Sequence, residues 1–276
     1  MVKPAGKDSA IYDGLDTSVP HPARRYNYWL GGKDNFAADR AAGDEMVKLF
    51  PTVRLAALEN RAFLRRAATF LARDAGIRQF LDIGTGLPTA NNTHEVAQSV
   101  APESRIVYVD NDPMVMVHAR ALLTSAPEGR TAYLEADLRE PDKILGHPDL
   151  LATLDLSQPV ALMLIAVLHF IDGEEQTAAL VRRLVEALPS GSYVAASHGT
   201  MDLADARARA GYEQMRAAGR ADIVPRTREE FTALFDGLEL VDPGVCAVSE
   251  WRAEDEPQPR PAPHEVANYG LVARIP

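Results

Sequence analysis

Three short signals, each following an apolar run, carry the chemistry that can be read from this chain. The first is Leu81-Asp82-Ile83-Gly84-Thr85-Gly86-Leu87-Pro88. Glycines at the carboxyl end of a parallel strand let a ligand approach the backbone closely, although the same string also suits a plain tight turn. The second is Asp110, 24 residues after Gly86. A carboxylate at that point can accept both hydroxyl protons of a ribose; its competing role, capping a helix, is better filled by Asp112. The third is Ala136-Asp137-Leu138, where a carboxylate can accept a hydrogen bond from an adenine amino group or simply end a strand. Repetition on three successive strands favours one composite site over three unrelated turns. A dinucleotide fingerprint needs a third glycine where Thr89 stands, which weakens a nicotinamide oxidoreductase reading.

Two histidines fall at the same kind of place. His169 and His198 both close strand-like runs, where ligands bind in parallel sheets. Either can be a base with a pKa near working pH; equally, each can be a structural residue of the pocket wall. His94, in the first turn of a helix after the glycine loop, reads as a capping or packing residue. Cys246 reads as a buried small hydrophobe.

The elements that must position these residues show in the periodicity. Strand-length apolar runs are Gln79–Ile83, Arg105–Val109, Thr131–Ala136, Val160–Leu168 and Ser192–Ser197, with Leu238–Val245 and Tyr269–Ile275 as the last two. Helical patterns lie between them. Asn92 precedes Glu95 by three residues, a capping-box spacing, and opens a helix to Val100. Asp112 and Pro113 open another to Leu123. Glu174–Leu188 is a third. Strands joined by helices of this length imply parallel pairing with right-handed crossovers. Asp202–Ala218 reads as an extra helix, and Thr227 with Glu230 caps one more, ending near Gly237. Pro257, Pro259, Pro261 and Pro263 mark an extended loop under which Trp251 is expected to pack.

Before the first strand, Phe63, Ala67, Phe70 and Leu71 share one helical face of a long helix after Pro51. Upstream, residues 20–36 concentrate Arg24, Arg25, Tyr26, Tyr28, Trp29 and Phe36 around Gly31-Gly32. That aromatic density reads as a lid: Gly31-Gly32 offers a hinge or a close backbone approach, and Arg24, Arg25 and Lys33 are cations for a ligand carboxylate. The alternative is a helix that covers an apolar sheet edge. The expected organisation is a loose arm over residues 1–19, a helical cover or lid over 20–75, and an α/β domain over 76–276 with a helical insertion at about 200–226.

Composition sets the outer bounds. The 276 residues are 46% hydrophobic and 25% charged, with 29 basic and 39 acidic side chains and a net charge of −10. That is ordinary globular composition. The acidic balance argues against nucleic acid as a partner. One cysteine excludes a disulfide framework and any multi-cysteine metal site. No apolar leader is seen, and the longest apolar stretch, residues 156–171, is shorter than the roughly 20 residues a bilayer span needs. A cytoplasmic protein without a membrane partner is expected; the oligomeric state cannot be read.

The constellation from Gln79 to Ile275 resembles the S-adenosylmethionine-dependent methyltransferases built on a Rossmann-like sheet. The strings Ala23-Arg24-Arg25-Tyr26-Asn27-Tyr28-Trp29-Leu30-Gly31-Gly32-Lys33-Asp34-Asn35-Phe36 and Asn92-Thr93-His94-Glu95-Val96-Ala97-Gln98 further resemble one bacterial family of such enzymes, whose acceptors are mostly unknown. The resemblance implies a doubly wound, seven-stranded, mostly parallel α/β sheet ending in a hairpin-like strand pair, with an N-terminal helical cover. It implies S-adenosylmethionine as cofactor, with S-adenosylhomocysteine as product. Asp82, Gly84 and Gly86 are assigned to its methionine end, Asp110 to its ribose, and Asp137 with Leu138 to its adenine. Tyr26, Thr85, Asn111 and Ala166 complete the expected cofactor set. Pro88 departs from the many members that have a third glycine there. The fourth strand end, Ala166-Val167-Leu168-His169-Phe170, lacks the Asn/Asp-Pro-Pro-aromatic string of amino-methyltransferases. It also lacks an acidic metal ligand, so a magnesium-assisted catechol site is not expected. His198 and His169 remain as candidate catalytic residues. The function implied is methyl transfer to a small-molecule acceptor; the alternative is a non-catalytic regulatory protein that binds S-adenosylmethionine or S-adenosylhomocysteine.

Overall fold

The computed structural model describes residues 16–122 and 124–276. Most of the expected arm, residues 1–15, and the expected helix end at Leu123 lie outside the described residues. The chain runs α1 (Pro22–Trp29), α2 (Ala37–Leu49), α3 (Val53–Arg73), β1 (Gln79–Ile83), α4 (Thr93–Val100), β2 (Arg105–Asp110), α5 (Pro113–Leu122) and β3 (Arg130–Glu135). It continues with α6 (Pro141–Leu145), α7 (Pro148–Thr153), β4 (Ala161–Ile165), α8 (Glu174–Val185), β5 (Tyr193–Gly199) and α9 (Ala206–Ala217). It ends with α10 (Arg228–Ala233), β6 (Glu239–Leu240), β7 (Cys246–Ala247), α11 (Pro263–Val266) and β8 (Asn268–Arg274).

The sheet order is β3-β2-β1-β4-β5-β8-β6, with β7 also paired to β8. Strands β1 to β5 pair in parallel and β8 runs antiparallel to β5. The order reverses between β1 and β4, and such a switch point opens a crevice at the carboxyl ends of the strands. Side chains alternate across β1. Leu81 and Ile83 join one apolar layer with Val107, Val109, Leu162 and Leu164, covered by helices that include α8. Phe80 joins the opposite layer with Ile106, Tyr108 and Met163, covered by α3 and α4. Phe63, Ala67 and Leu71 of α3 are fully buried in that second layer, as their helical spacing predicts. Trp251 is fully buried and meets Phe63 and Phe70 edge-on, with ring centroids 5.5 and 6.0 Å apart.

Two strand expectations are corrected. The apolar run Val160–Leu168 does not continue as one strand: β4 stops at Ile165, and Ala166 turns into the left-handed region at φ 53°. Its N–H donates to Ser197 O (3.2 Å) and Ser197 Oγ (3.0 Å). Residues Leu168–Phe170 then form a single 3₁₀ turn. The expected strand Leu238–Val245 divides into β6 and β7, which pair with opposite ends of β8. Between them, Pro243 has no N–H to give to a ladder and Gly244 sits at φ 78°.

The residues before β1 form a helical cover. Asp39, fully buried, accepts from His21 N and Phe36 N at 2.8 Å each and so ties α2 to the start of α1. Asn27 accepts from Asp34 N (3.1 Å) and Asn35 Nδ2 (2.9 Å), closing the turn between α1 and α2. A Cβ on Gly32 would lie 2.3 Å from Asn27 Nδ2. The close approach at Gly32 is to the Asn27 side chain of the same turn. The insertion after β5 carries α9, whose Gly211 packs against Leu49 of α2. Arg207 Nη2 donates to Lys48 O across the same contact (2.8 Å).

Candidate functional site

A cavity of about 570 Å³ opens at the carboxyl ends of β1 to β5, walled above by α1, α2, α3 and α9. This lies within the range of roughly 300–1,000 Å³ usual for small-molecule sites. Tyr26, Asp82, Gly84, Thr85, Gly86, Asp110, Asn111, Asp137, Leu138 and Ala166 all border it. So does His169, whereas His198 does not.

The glycine loop is built for two different reasons. At Gly84 (φ 75°) a Cβ would lie 2.4 Å from Val167 Cγ2, so the loop passes tightly under the turn that follows β4. At Gly86 (φ 67°) nothing lies within 4 Å of that position. Its N–H donates to Asp110 Oδ2 (2.8 Å), and Asp110 Oδ1 accepts from Asp112 N (2.9 Å). Burial pushes the Asp110 carboxyl above its ordinary pKa, against the lowering effect of these two bonds. Each oxygen keeps a second lone pair, the capacity a ribose diol requires.

Asp82 is almost fully buried and accepts from Thr93 Oγ1 (2.5 Å). Burial pushes its pKa up to about 6, with Thr93 and Arg61 acting in the other direction. Asp137 is more open. It accepts from Arg139 N (2.8 Å) and Asn111 Nδ2 (3.0 Å) and pairs with Arg139 Nη1 (3.0 Å). Burial acts to raise its pKa, but these donors and the Arg139 charge outweigh it and hold the carboxyl below its usual range. Asp112 caps α5 through Met114 N (2.9 Å) and also faces His21 (3.1 Å) and Arg24 (3.4 Å).

The two histidines differ from the bases expected. His198 is fully buried behind the wall. Its Nδ1 meets Gly199 O at 2.8 Å and its Nε2 meets Arg226 Nη1 at 2.8 Å. A carbonyl can only accept and a guanidinium can only donate, so Nδ1 carries the proton and Nε2 spends its lone pair on Arg226. Burial, then His169, and more weakly Arg226 keep its pKa well below the ordinary value. His198 is a bracing residue, and the expected role as a base does not hold for it. His169 borders the cavity, but its Nδ1 accepts from Gly199 N (3.3 Å), which leaves the proton on Nε2. Burial, then Arg226 and Arg25, push its pKa down to about 3. With that pKa and this tautomer, His169 is neutral at physiological pH and carries its N–H on Nε2.

The cations expected to meet a ligand carboxylate are also corrected. Arg24 faces Asp39 and Asp112, Arg25 pairs with Asp222, and Lys33 is exposed. None of the three borders the cavity. Arg61 does, from the middle of α3. Its Nη2 donates to Ala90 O (3.2 Å) and Asn91 O (3.1 Å), while its buried Nε has no partner among the described residues. Asp82 and Arg61 together offer opposite charges at one end of the cavity. That pair suits the ammonium and carboxylate of an amino-acid end, and Asp110 suits a diol farther along the strand ends. The donor set therefore fits an adenosyl amino acid such as S-adenosylmethionine.

Residues 8–276 match the model of a family described as S-adenosyl methyltransferase. The chain belongs to this family. A crystal structure of a DUF574 family protein from Streptomyces avermitilis is 48% identical over 95% of this chain and 99% of its own, with a TM-score of 0.87. A protein from Thermobifida fusca, provisionally named a methyltransferase, is 42% identical over 95% of this chain and 97% of its own, with a TM-score of 0.84. No curated protein matches the chain. The family's cofactor is S-adenosylmethionine, and its fold is the doubly wound methyltransferase sheet described above. Among the described residues, no helix is long and apolar enough to cross a membrane.

Proposed function

We propose that this S-adenosyl methyltransferase family member is an active enzyme that methylates a small-molecule acceptor in the cavity above β1 to β5. The observation that carries the proposal is the convergence of Asp82, Arg61, Gly86 and Asp110 on one 570 Å³ space that is otherwise apolar along α2 and α9. Bound S-adenosylmethionine supplies an activated methyl group on a sulfonium. Asp82 and Arg61 hold the amino-acid end, Asp110 accepts from the ribose hydroxyls, and Asp137 and Leu138 flank the adenine. Asn111 steadies Asp137, and Gly86 leaves the backbone open to the ligand. Tyr26, whose hydroxyl donates to Ala57 O and accepts from Asn60 (3.0 Å each), closes the same space from α1.

Such a site works by alignment. Holding two reactants in line accounts for roughly 7–11 kcal/mol of barrier lowering. The helical cover supports this by excluding water from the transfer, as closing segments commonly do. With His169 neutral and engaged, and His198 buried behind the wall, neither histidine removes a proton from the acceptor. The acidic chain and single half-buried Cys246 support a reduced, cytoplasmic setting without nucleic acid as partner.

Calorimetry with S-adenosylhomocysteine and NAD tests the reading. The adenosyl ligand should bind and NAD should not. Tighter binding of NAD would overturn the assignment of Asp82, Gly86 and Asp110.

A further inference from the structure

The cavity has two chemically distinct halves. Of the charged residues that border it, Asp82, Asp110, Asp137 and Arg139 lie at the strand ends assigned above to the cofactor, and Arg61 faces them from α3. The other half is bounded by Trp29 of α1, Met46 and Phe50 at the end of α2, and Ala208, Tyr212 and Met215 of α9. The polar atoms of its aromatic walls are already used: Trp29 Nε1 donates to Gly43 O (3.3 Å) and Tyr212 Oη donates to Ile223 O (3.2 Å). What those side chains present to the space is ring surface. The charged side chain bordering this half is Asp222, and Arg25 already neutralises it.

From this division we infer that the methyl acceptor is an uncharged, ring-bearing small molecule, seated between the α2 end and α9. The inference rests on the methyltransferase reading and narrows its substrate class. A charged acceptor, such as an amino acid or a phosphorylated metabolite, would lose hydration there and find no free counter-ion among the described residues. Aromatic walls favour offset or edge-on ring contacts, and thioethers such as those of Met46 and Met215 add favourable contacts to ring edges. The space is shared with the cofactor, so it suits a compact ring system better than a long acyl chain. Polar recognition is confined to the floor. There Gly199, His169 and Asn268 converge: a Cβ on Gly199 would lie 3.7 Å from both Asn268 Oδ1 and His169 Nδ1. Among the residues bordering the cavity there, His169 carries a donor at Nε2 and Asn268 an acceptor at Oδ1, polar atoms of the kind a neutral polar group needs. Small side chains keep the room open. Ala208 packs with Ala204 and Ala267 beside Phe50, and a large residue at 208 would fill the space without touching the charged half.

The test uses the full-length protein loaded with S-adenosylhomocysteine, titrated by calorimetry at neutral pH with 2-naphthol and with 2-naphthoate. The two probes share a ring system and differ in charge. 2-Naphthol should bind at least roughly tenfold more tightly than 2-naphthoate. Ala208→Trp should keep the S-adenosylhomocysteine affinity within about twofold and weaken 2-naphthol at least roughly tenfold; if that variant does not fold, Ala208→Leu makes the same comparison with a smaller plug. Equal or tighter binding of 2-naphthoate would overturn the inference. So would an unaltered 2-naphthol affinity in a plugged variant, or no 2-naphthol binding by a protein that binds S-adenosylhomocysteine. Failure of the wild-type protein to bind S-adenosylhomocysteine is a different result; it would remove the methyltransferase reading itself, and this inference with it.

Discussion

Replacing Asp82 with asparagine should make the ligand-free protein more stable and a poorer cofactor binder. Asp82 is 3% exposed, and burial raises its pKa from 3.8 to about 6. A raised folded-state pKa means that the folded protein holds this proton more tightly than the unfolded chain. The carboxyl therefore costs nothing below pH 3.8; stability is lost as pH rises towards 6, and the penalty is complete above that. At 1.36 kcal/mol per pKa unit, the buried charge costs on the order of 3 kcal/mol at pH 8. An asparagine side chain in its place would keep an oxygen for Thr93 and carry no charge. The melting temperature of Asp82→Asn should thus exceed that of the native protein by roughly 5 °C at pH 8, and the gain should vanish towards pH 4. In the same variant, S-adenosylmethionine affinity should fall by about 1.5–3 kcal/mol, the usual loss for a hydrogen bond to a charged group. Differential scanning calorimetry at both pH values, with titration calorimetry at pH 8, measures all of this. A variant that melts lower at pH 8, or whose gain is independent of pH, would refute the argument.

Three further outcomes follow from the geometry. Asp110→Ala should weaken S-adenosylhomocysteine by about 1.5–3 kcal/mol in titration calorimetry, whereas Asp112→Ala should cost about 1 kcal/mol or more of stability, since Asp112 caps α5 and also faces Arg24; equal losses of affinity would mean that the ribose is misplaced. His169→Asn should leave the shape of the pH profile of kcat/KM unchanged between pH 6 and 9, because a group with a pKa of about 3 does not titrate there; the disappearance of a limb near pH 6.5 would make His169 a base after all. Gly32→Ala should lower the stability measured by urea unfolding by about 1–3 kcal/mol, because its Cβ would collide with Asn27, whose amide already holds the turn; an unchanged midpoint would show that the turn yields freely.

The sheet was legible because its signals are local. Five parallel strands, and the residues that end β1, β2 and β3, follow from apolar runs, turn residues and the placing of Asp82, Asp110 and Asp137. What could not be read depends on contacts distant in sequence. The end of β4 is hidden inside an unbroken apolar run, and only the left-handed turn at Ala166 sets it. His169 and His198 have the same sequence signature, a histidine near a strand end. Their difference comes from Arg226, 28 residues beyond His198, which occupies the second ring nitrogen of one and not of the other. Arg61 is one of several arginines on α3, and helical period alone does not tell which of them meets the cavity. Arg24 and Arg25 read as ligand cations in the sequence because Asp39, Asp112 and Asp222, which neutralise them, are brought near only by the fold.

A crystal structure of the protein with S-adenosylhomocysteine would show whether the cavity above β1 to β5 holds the adenosyl cofactor, and in which direction. The ribose should lie on Asp110, the adenine beside Asp137 and Leu138, and the amino-acid end between Asp82 and Arg61, with the sulfur facing the apolar half. A ligand bound in the reverse direction, or bound elsewhere on the protein, would contradict it.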